Sequence, residues 1–183
     1  MYSEGKKTEP LYFKAYELAI SSAVIEVVCE RERGDPKRLL TLAEKKRNEI
    51  NGRAYQRLNG SADKVWVAFD RDDHDDIPQV ISQCGKLDIG VAYSNPCFEV
   101  WLILHKENYD RDEHRDLTQR KCEEVCDGYS KDSGKFPDFS KILNNVEAAE
   151  DRAEKLLKRR SEDNSPSPFT TVHLLTQEMR AGK

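Results

Sequence analysis

The chain has 183 residues and lacks several features that would place it quickly. There is no apolar run near the roughly 20 residues needed to span a bilayer. With 35% charged residues and a mean hydropathy of −0.81, the composition is that of a soluble protein. No secretory leader opens it: Met1 is followed by Glu4, Lys6 and Lys7 rather than an apolar segment, so the cytoplasm is the expected compartment. The five cysteines (Cys29, Cys84, Cys97, Cys122, Cys126) are odd in number and scattered, which argues against a disulfide framework. Cys122 and Cys126, with His105 and His114 upstream, lack the spacing of the common zinc motifs, and ordinary helix packing is the favoured reading of the pair. No internal repeat and no base-specific motif is apparent.

Charge is plentiful but uneven. The net charge of −4 conceals a mildly basic first third, with 12 Lys/Arg against 9 Asp/Glu in residues 1–60. An acidic centre follows, with 4 against 9 in residues 61–109. Basic residues cluster at 37–57 and again at 155–160, where a polyanion could be met, although most such side chains only solvate a surface.

The periodicities alternate. Residues 8–21 suit a helix, with Thr8 as cap and Pro10 in the first turn; 23–30 are β-branched and apolar, hence a strand. Residues 34–51 form the next helix, capped by Asp35 and opened by Pro36. The near-continuous apolar run at 64–69 has the character of a strand covered on both faces. A helix at 77–85, a strand at 88–94 and a strongly apolar helix at 96–105 follow. Beyond residue 109 the chain is more polar, with helices expected near 117–126, 139–160 and 169–180. The pattern predicts an α/β core over residues 1–109, a mostly parallel four-stranded sheet flanked by helices, with a helical C-terminal part over 110–183 packed on it.

Within this frame "FDRDDHDD" (69–76) stands out. Ligands of open α/β sheets bind beyond the carboxyl ends of strands, and Asp70 directly follows "VWVAF". Asp70 and Asp72, two residues apart, point the same way on an extended strand end and can share a hard cation, which takes oxygen ligands. Asp73, Asp75 and Asp76 read as loop and cap, and His74 as a loop residue beside a possible proton route. An EF-hand is excluded, because the sixth position from Asp70 is Asp75 rather than glycine and the twelfth is Ile81 rather than glutamate. A D-x-D phosphatase with Asp70 as nucleophile is the weaker alternative, since two βα-like elements precede the motif. Glu99 is the only charge between Cys97 and Leu104, and a buried carboxylate there needs a cation or a hydrogen-bond donor.

Four blocks, "EGKKTEPLYF" (4–13), "FDRDDHDD", "SNPCFEVWLILH" (94–105) and "NSPSPFTTVHLL" (164–175), together resemble the RloB-like family, a Toprim-like, Rossmann-like group associated with restriction and abortive-infection phage-defence loci. The resemblance spans essentially the whole chain. It implies that Glu4 is the Toprim glutamate, that Asp70 and Asp72 hold Mg²⁺ or Mn²⁺ with it, and that Glu99 and Asn95 belong to the site. It makes Gly5, Lys6 and Lys7 candidate phosphate contacts, with Gly5 permitting a tight turn. The expected activity is metal-dependent hydrolysis of DNA or RNA. The alternative is a catalytically inactive Toprim-like subunit that binds nucleic acid or an ATPase partner. One departure from the family is that only Met1, Tyr2 and Ser3 precede Glu4, a short first strand.

Overall fold

The computed structural model describes residues 1–5, 7–20, 24–29, 35–71, 76–132, 134, 136–163, 165 and 167–181. Its centre is a five-stranded sheet in the order β2-β1-β3-β4-β5, built from β1 (Tyr2–Ser3), β2 (Val28–Cys29), β3 (Trp66–Asp70), β4 (Gly90–Asn95) and β5 (Phe169–Thr170). The first four strands are parallel, and β5 runs antiparallel to β4. The expectation of four strands is therefore corrected to five. Residues 169–170 were expected to open the last helix. Instead Thr171 draws them onto β4, its hydroxyl bonding the Val91 carbonyl and accepting from the Tyr93 amide at 2.8 and 2.9 Å. Strand β2 is also shorter than the apolar pattern suggested.

Two hydrophobic cores cover the two faces of the sheet. On one face lies α1 (Thr8–Ile20), where Pro10 occupies a first-turn position whose missing N–H breaks no helical bond. Tyr12, Phe13 and Tyr16 form its buried stripe, packed against α5 (Glu99–Leu104). The same core takes in side chains of α6 (Arg115–Val125), α7 (Val146–Asp163) and α8 (Val172–Ala181). Two short 3-10 turns, Phe139–Lys141 and Leu143–Asn145, lead into α7.

The other face carries α2 (Pro36–Ile50) and α4 (Ile77–Lys86), with the small α3 (Arg53–Asn59) between α2 and β3. Asp35 caps α2 by accepting from the Lys37 amide at 2.9 Å, as its sequence predicts. Leu39 and Ala43 of α2 meet Ile77, Val80 and Cys84 of α4 over Val67 and Phe69 of β3. Alternate residues of β3 enter opposite cores, which is why the strand reads as continuously apolar: Val67 and Phe69 face α2, and Ala68 faces α1.

Tyr12 holds the first core together. Its ring meets those of Phe98, Trp101 and His105 edge-on, and its hydroxyl bonds His105 Nε2 at 3.0 Å. His105 Nδ1 lies 2.8 Å from the Trp101 carbonyl, an acceptor, so Nδ1 carries the proton and Nε2 accepts from Tyr12. These contacts lock α1 to α5 and thereby the residues that flank them, Glu9 and Glu99. None of the helices in the described residues is long and apolar enough to cross a membrane.

Candidate functional site

From β1 the chain passes to β2 on one side and later returns to β3 on the other, so the carboxyl ends of β1 and β3 frame a topological switch point, where open α/β sheets bind ligands. Glu4 directly follows β1, and its amide donates to the Ala68 carbonyl at 3.0 Å, extending the β1–β3 pairing by one step. Asp70 is the last residue of β3, one position earlier relative to the strand end than expected, and stands opposite Ser94 of β4. A two-residue β1 suffices to place Glu4 because it is bonded on both sides, to β2 and to β3.

A pocket of about 400 Å³ opens at this point. Its lining carboxylates are Glu4, Glu9, Asp70, Glu99 and Asp132, and its basic residues are Lys7, Arg115 and Lys131. Glu9, in the first turn of α1, and Glu99, at the start of α5, are buried. Glu99 accepts a hydrogen bond from the Tyr129 hydroxyl at 2.5 Å. Burial holds the Asp70 carboxyl well above the usual carboxylate range, and the negative charges of Glu9 and Glu99 push the same way. Arg115 and a hydrogen bond from the Phe98 backbone oppose the shift. Burial, with the Glu99 charge next, also raises the Tyr129 hydroxyl, which therefore stays a protonated donor.

Of the residues picked from sequence, Glu4, Asp70, Glu99, Gly5 and Lys7 line this pocket. Asn95 does not: it is buried at the end of β4, paired with Phe169 of β5. Asp72, Lys6 and His74 lie outside the described residues. Gly5 works differently from the expected tight turn. Its backbone is not in the left-handed region, but a Cβ there would overlap the Glu9 carboxylate, so glycine is what lets Glu9 lie across the chain. Asp76 stands at the N-cap position of α4 but forms no side-chain cap bond; it pairs with Lys37 at 2.8 Å.

Sequence reasoning missed Glu9, Arg115 and Gln119. An acid in a helix's first turn is ordinarily read as complementing the helix dipole, which hid Glu9. Arg115 and Gln119 are one turn apart on α6 and in line with the buried Cys122, a stripe whose polar half only the packing explains. The second basic cluster, by contrast, is spent within the fold: Arg159 and Arg160 both pair with Asp110, Lys155 with Asp151 and Lys158 with Glu162.

The donors at the pocket are all oxygen, the chemistry a hard divalent cation requires. Among the described residues, however, no three His, Cys, Asp or Glu side chains are grouped so that they could hold a metal ion. Asp72, half of the D-x-D pair, is not among those residues.

The fold and pocket define an α/β protein with a five-stranded, mostly parallel sheet and a carboxylate-lined pocket at its switch point. The chain belongs to the RloB-like family: the family model described as "RloB-like protein" matches residues 1–179. No curated protein and no solved structure matches it.

Proposed function

We propose that the chain is a Toprim-like, metal-dependent phosphodiesterase that hydrolyses DNA or RNA in a phage-defence or restriction-associated system. The observation carrying this reading is that Glu4, Asp70 and Glu99, distant in sequence, line one pocket at the switch point of the sheet. In this reading residues 1–109 form the Toprim-like core and 110–183 the helical part packed on it. Mg²⁺ or Mn²⁺ would be held by Glu4, Asp70 and Asp72. Bound there, such an ion supplies charge neutralisation at the scissile phosphate and a water of lowered pKa.

The chain's own residues prepare the pocket. Tyr129 fixes Glu99, and Gly5 admits Glu9. Burial and the charges of Glu9 and Glu99 raise the proton affinity of Asp70, so cation binding there releases a proton. Glu99 and Glu9, lining the same pocket as Asp70, are placed to take a proton from an attacking water. The test is Mg²⁺-dependent cleavage of a plasmid and of an RNA pool, with loss in Asp70→Asn and Glu4→Gln. Cleavage that persists in both variants rejects the assignment, whereas turnover of a small phosphomonoester with an aspartyl-phosphate at Asp70 favours a phosphatase.

A second reading is an inactive Toprim-like subunit that binds nucleic acid or an ATPase, favoured by the two-residue strand β1 that carries Glu4. A folded chain that binds such a partner but cleaves nothing with Mg²⁺ or Mn²⁺ decides for it.

A further inference from the structure

Of the chain's seven Tyr, six Phe and two Trp, all but one belong to the two cores or pack against them. The exception is Phe136, which is 41% exposed and part of neither core. Leaving an aromatic ring in water forgoes much of the stabilisation that its burial would give. One exposed apolar residue means little by itself, but this ring lies against Gly134, and Gly134 lines the pocket that holds Glu4, Asp70 and Glu99.

The local chain is built to hold the ring there. Gly134 has φ +136°, a backbone conformation that favours glycine, and a Cβ on it would overlap the edge of the Phe136 ring. Pro137 follows Phe136 and restricts the backbone before it to extended conformations. The Asp138 amide then donates to the Asp127 carbonyl at 2.8 Å, drawing the two ends of this segment together. Two contacts tie the same segment to the site. Tyr129 donates to Glu99 at 2.5 Å, and Lys131, which lines the pocket, pairs with Asp116 of α6 at 2.6 Å. The ring is thus carried by a stretch of chain anchored to the pocket's own residues.

We propose that Phe136 is a stacking platform for one unpaired base of a single-stranded nucleic acid whose backbone enters the pocket. The proposal deepens the nucleic-acid reading of this pocket and rests on it. An aromatic face beside cationic side chains holds single strands without sequence preference, because every base has a π-face. Lys7 and Lys131 supply cations along the same pocket. The bases inside a duplex are covered on both faces by their neighbours, so a closed double helix offers the ring nothing to stack on. A ring does not read the sugar, and DNA and RNA single strands share this chemistry. An apolar side chain of a protein partner could also cover the ring, but it has no use for the phosphate site beside it.

The test is fluorescence anisotropy of the full chain in Ca²⁺ with a labelled short single strand, as DNA and as RNA, and a gel shift with a relaxed, closed circular duplex. The wild-type chain is expected to bind at least one of the two strands. Phe136→Leu, still apolar but without a π-face, should weaken that binding by about fivefold or more. Phe136→Trp should retain or tighten it, and the new indole's emission should be quenched as the strand is added. The duplex should behave alike with wild type and Phe136→Leu, and the melting temperature should be unchanged, because the ring belongs to neither core. Wild-type affinity in Phe136→Leu, an equal loss for the duplex, an unquenched indole in Phe136→Trp or a lowered melting point in Phe136→Leu overturns the proposal. The two readings fail separately. If Mg²⁺-dependent cleavage requires Asp70 while Phe136→Leu binds and cleaves like wild type, only the platform falls; if binding requires Phe136 and no cleavage occurs, only hydrolysis does. A folded wild-type chain that binds neither strand rejects both.

Discussion

Two carboxylates on the same side of the sheet meet opposite fates. Glu150 of α7 is 3% exposed, and burial raises its proton affinity, but the next influences lower it: Thr176 donates at 2.7 Å and Arg180 pairs with its other oxygen. At Asp70 burial also acts first, but the next influences are two more carboxylates, Glu9 and Glu99. Glu150 is a pin between α7 and α8, complete in itself. Asp70 stands among charges of its own sign, opposed by Arg115 and a hydrogen bond from the Phe98 backbone. An acid whose neighbours are acids stores unfavourable energy that a cation can release, which a paired acid such as Glu150 does not.

The sharpest way to break the contrast is to neutralise each member. Asp70→Asn should reduce Mg²⁺-dependent cleavage by about 1,000-fold, measured as initial rate, because it removes charge stabilisation at the reacting phosphate. In metal-free buffer the same variant should melt higher, by about 2–4 °C for each kcal/mol of relieved repulsion in a domain of this size. Scanning calorimetry in EDTA reads this, and an unchanged or lower melting point would contradict the picture of a strained carboxylate. Arg180→Ala should do the reverse. It leaves Glu150 buried beside Glu147 without its guanidinium, destabilising the fold by about 2–3 kcal/mol in urea titration, discounted because Arg180 is itself partly exposed, with specific activity unaltered.

Acid should separate two further groups. Burial lowers His105 from 6.5 to about 4, so the unfolded chain takes up a proton first as pH falls. Stability is therefore lost between about pH 6.5 and 4, by roughly 3 kcal/mol. Asp70 has the opposite sign: its folded form binds the proton more tightly, so in metal-free protein it adds stability as pH drops from its raised value toward 3.8. Asp70→Asn should therefore make acid destabilisation steeper, as read by urea midpoints across that range. The smallest effect is expected at the exposed lysines of α7. Lys155→Ala and Lys158→Ala should leave the melting temperature and nucleic-acid affinity unchanged within error, since each serves only an i, i+4 surface pair.

Local chemistry made much of this legible in advance. Asp35 and Pro36 announce α2, the apolar run announces β3, and the D-x-D places Asp70 at a strand's end. Glu99 is conspicuous as the lone charge of α5, whereas Glu4 was marked only by the resemblance of "EGKKTEPLYF" to the RloB-like family. The fifth strand was not legible, because "FT" is too short to carry a period and is drawn into the sheet by Thr171. Nor was the role of Gly5, which depends on a side chain four residues away folding back over it.

The sequence by itself determined most of the helices and the longer strands, and that Asp70 sits at a strand's end, since capping, period and strand-end position are properties of neighbours along the chain. Only the tertiary structure decided which charges are answered. Asp110 absorbs Arg159 and Arg160 about fifty residues away, whereas Glu9, Asp70 and Glu99 are brought to one pocket and opposed by Arg115. The physical reason is that electrostatics depends on distance through space and on burial. Both are set when two cores close over the two faces of the sheet, and no short stretch of residues records either.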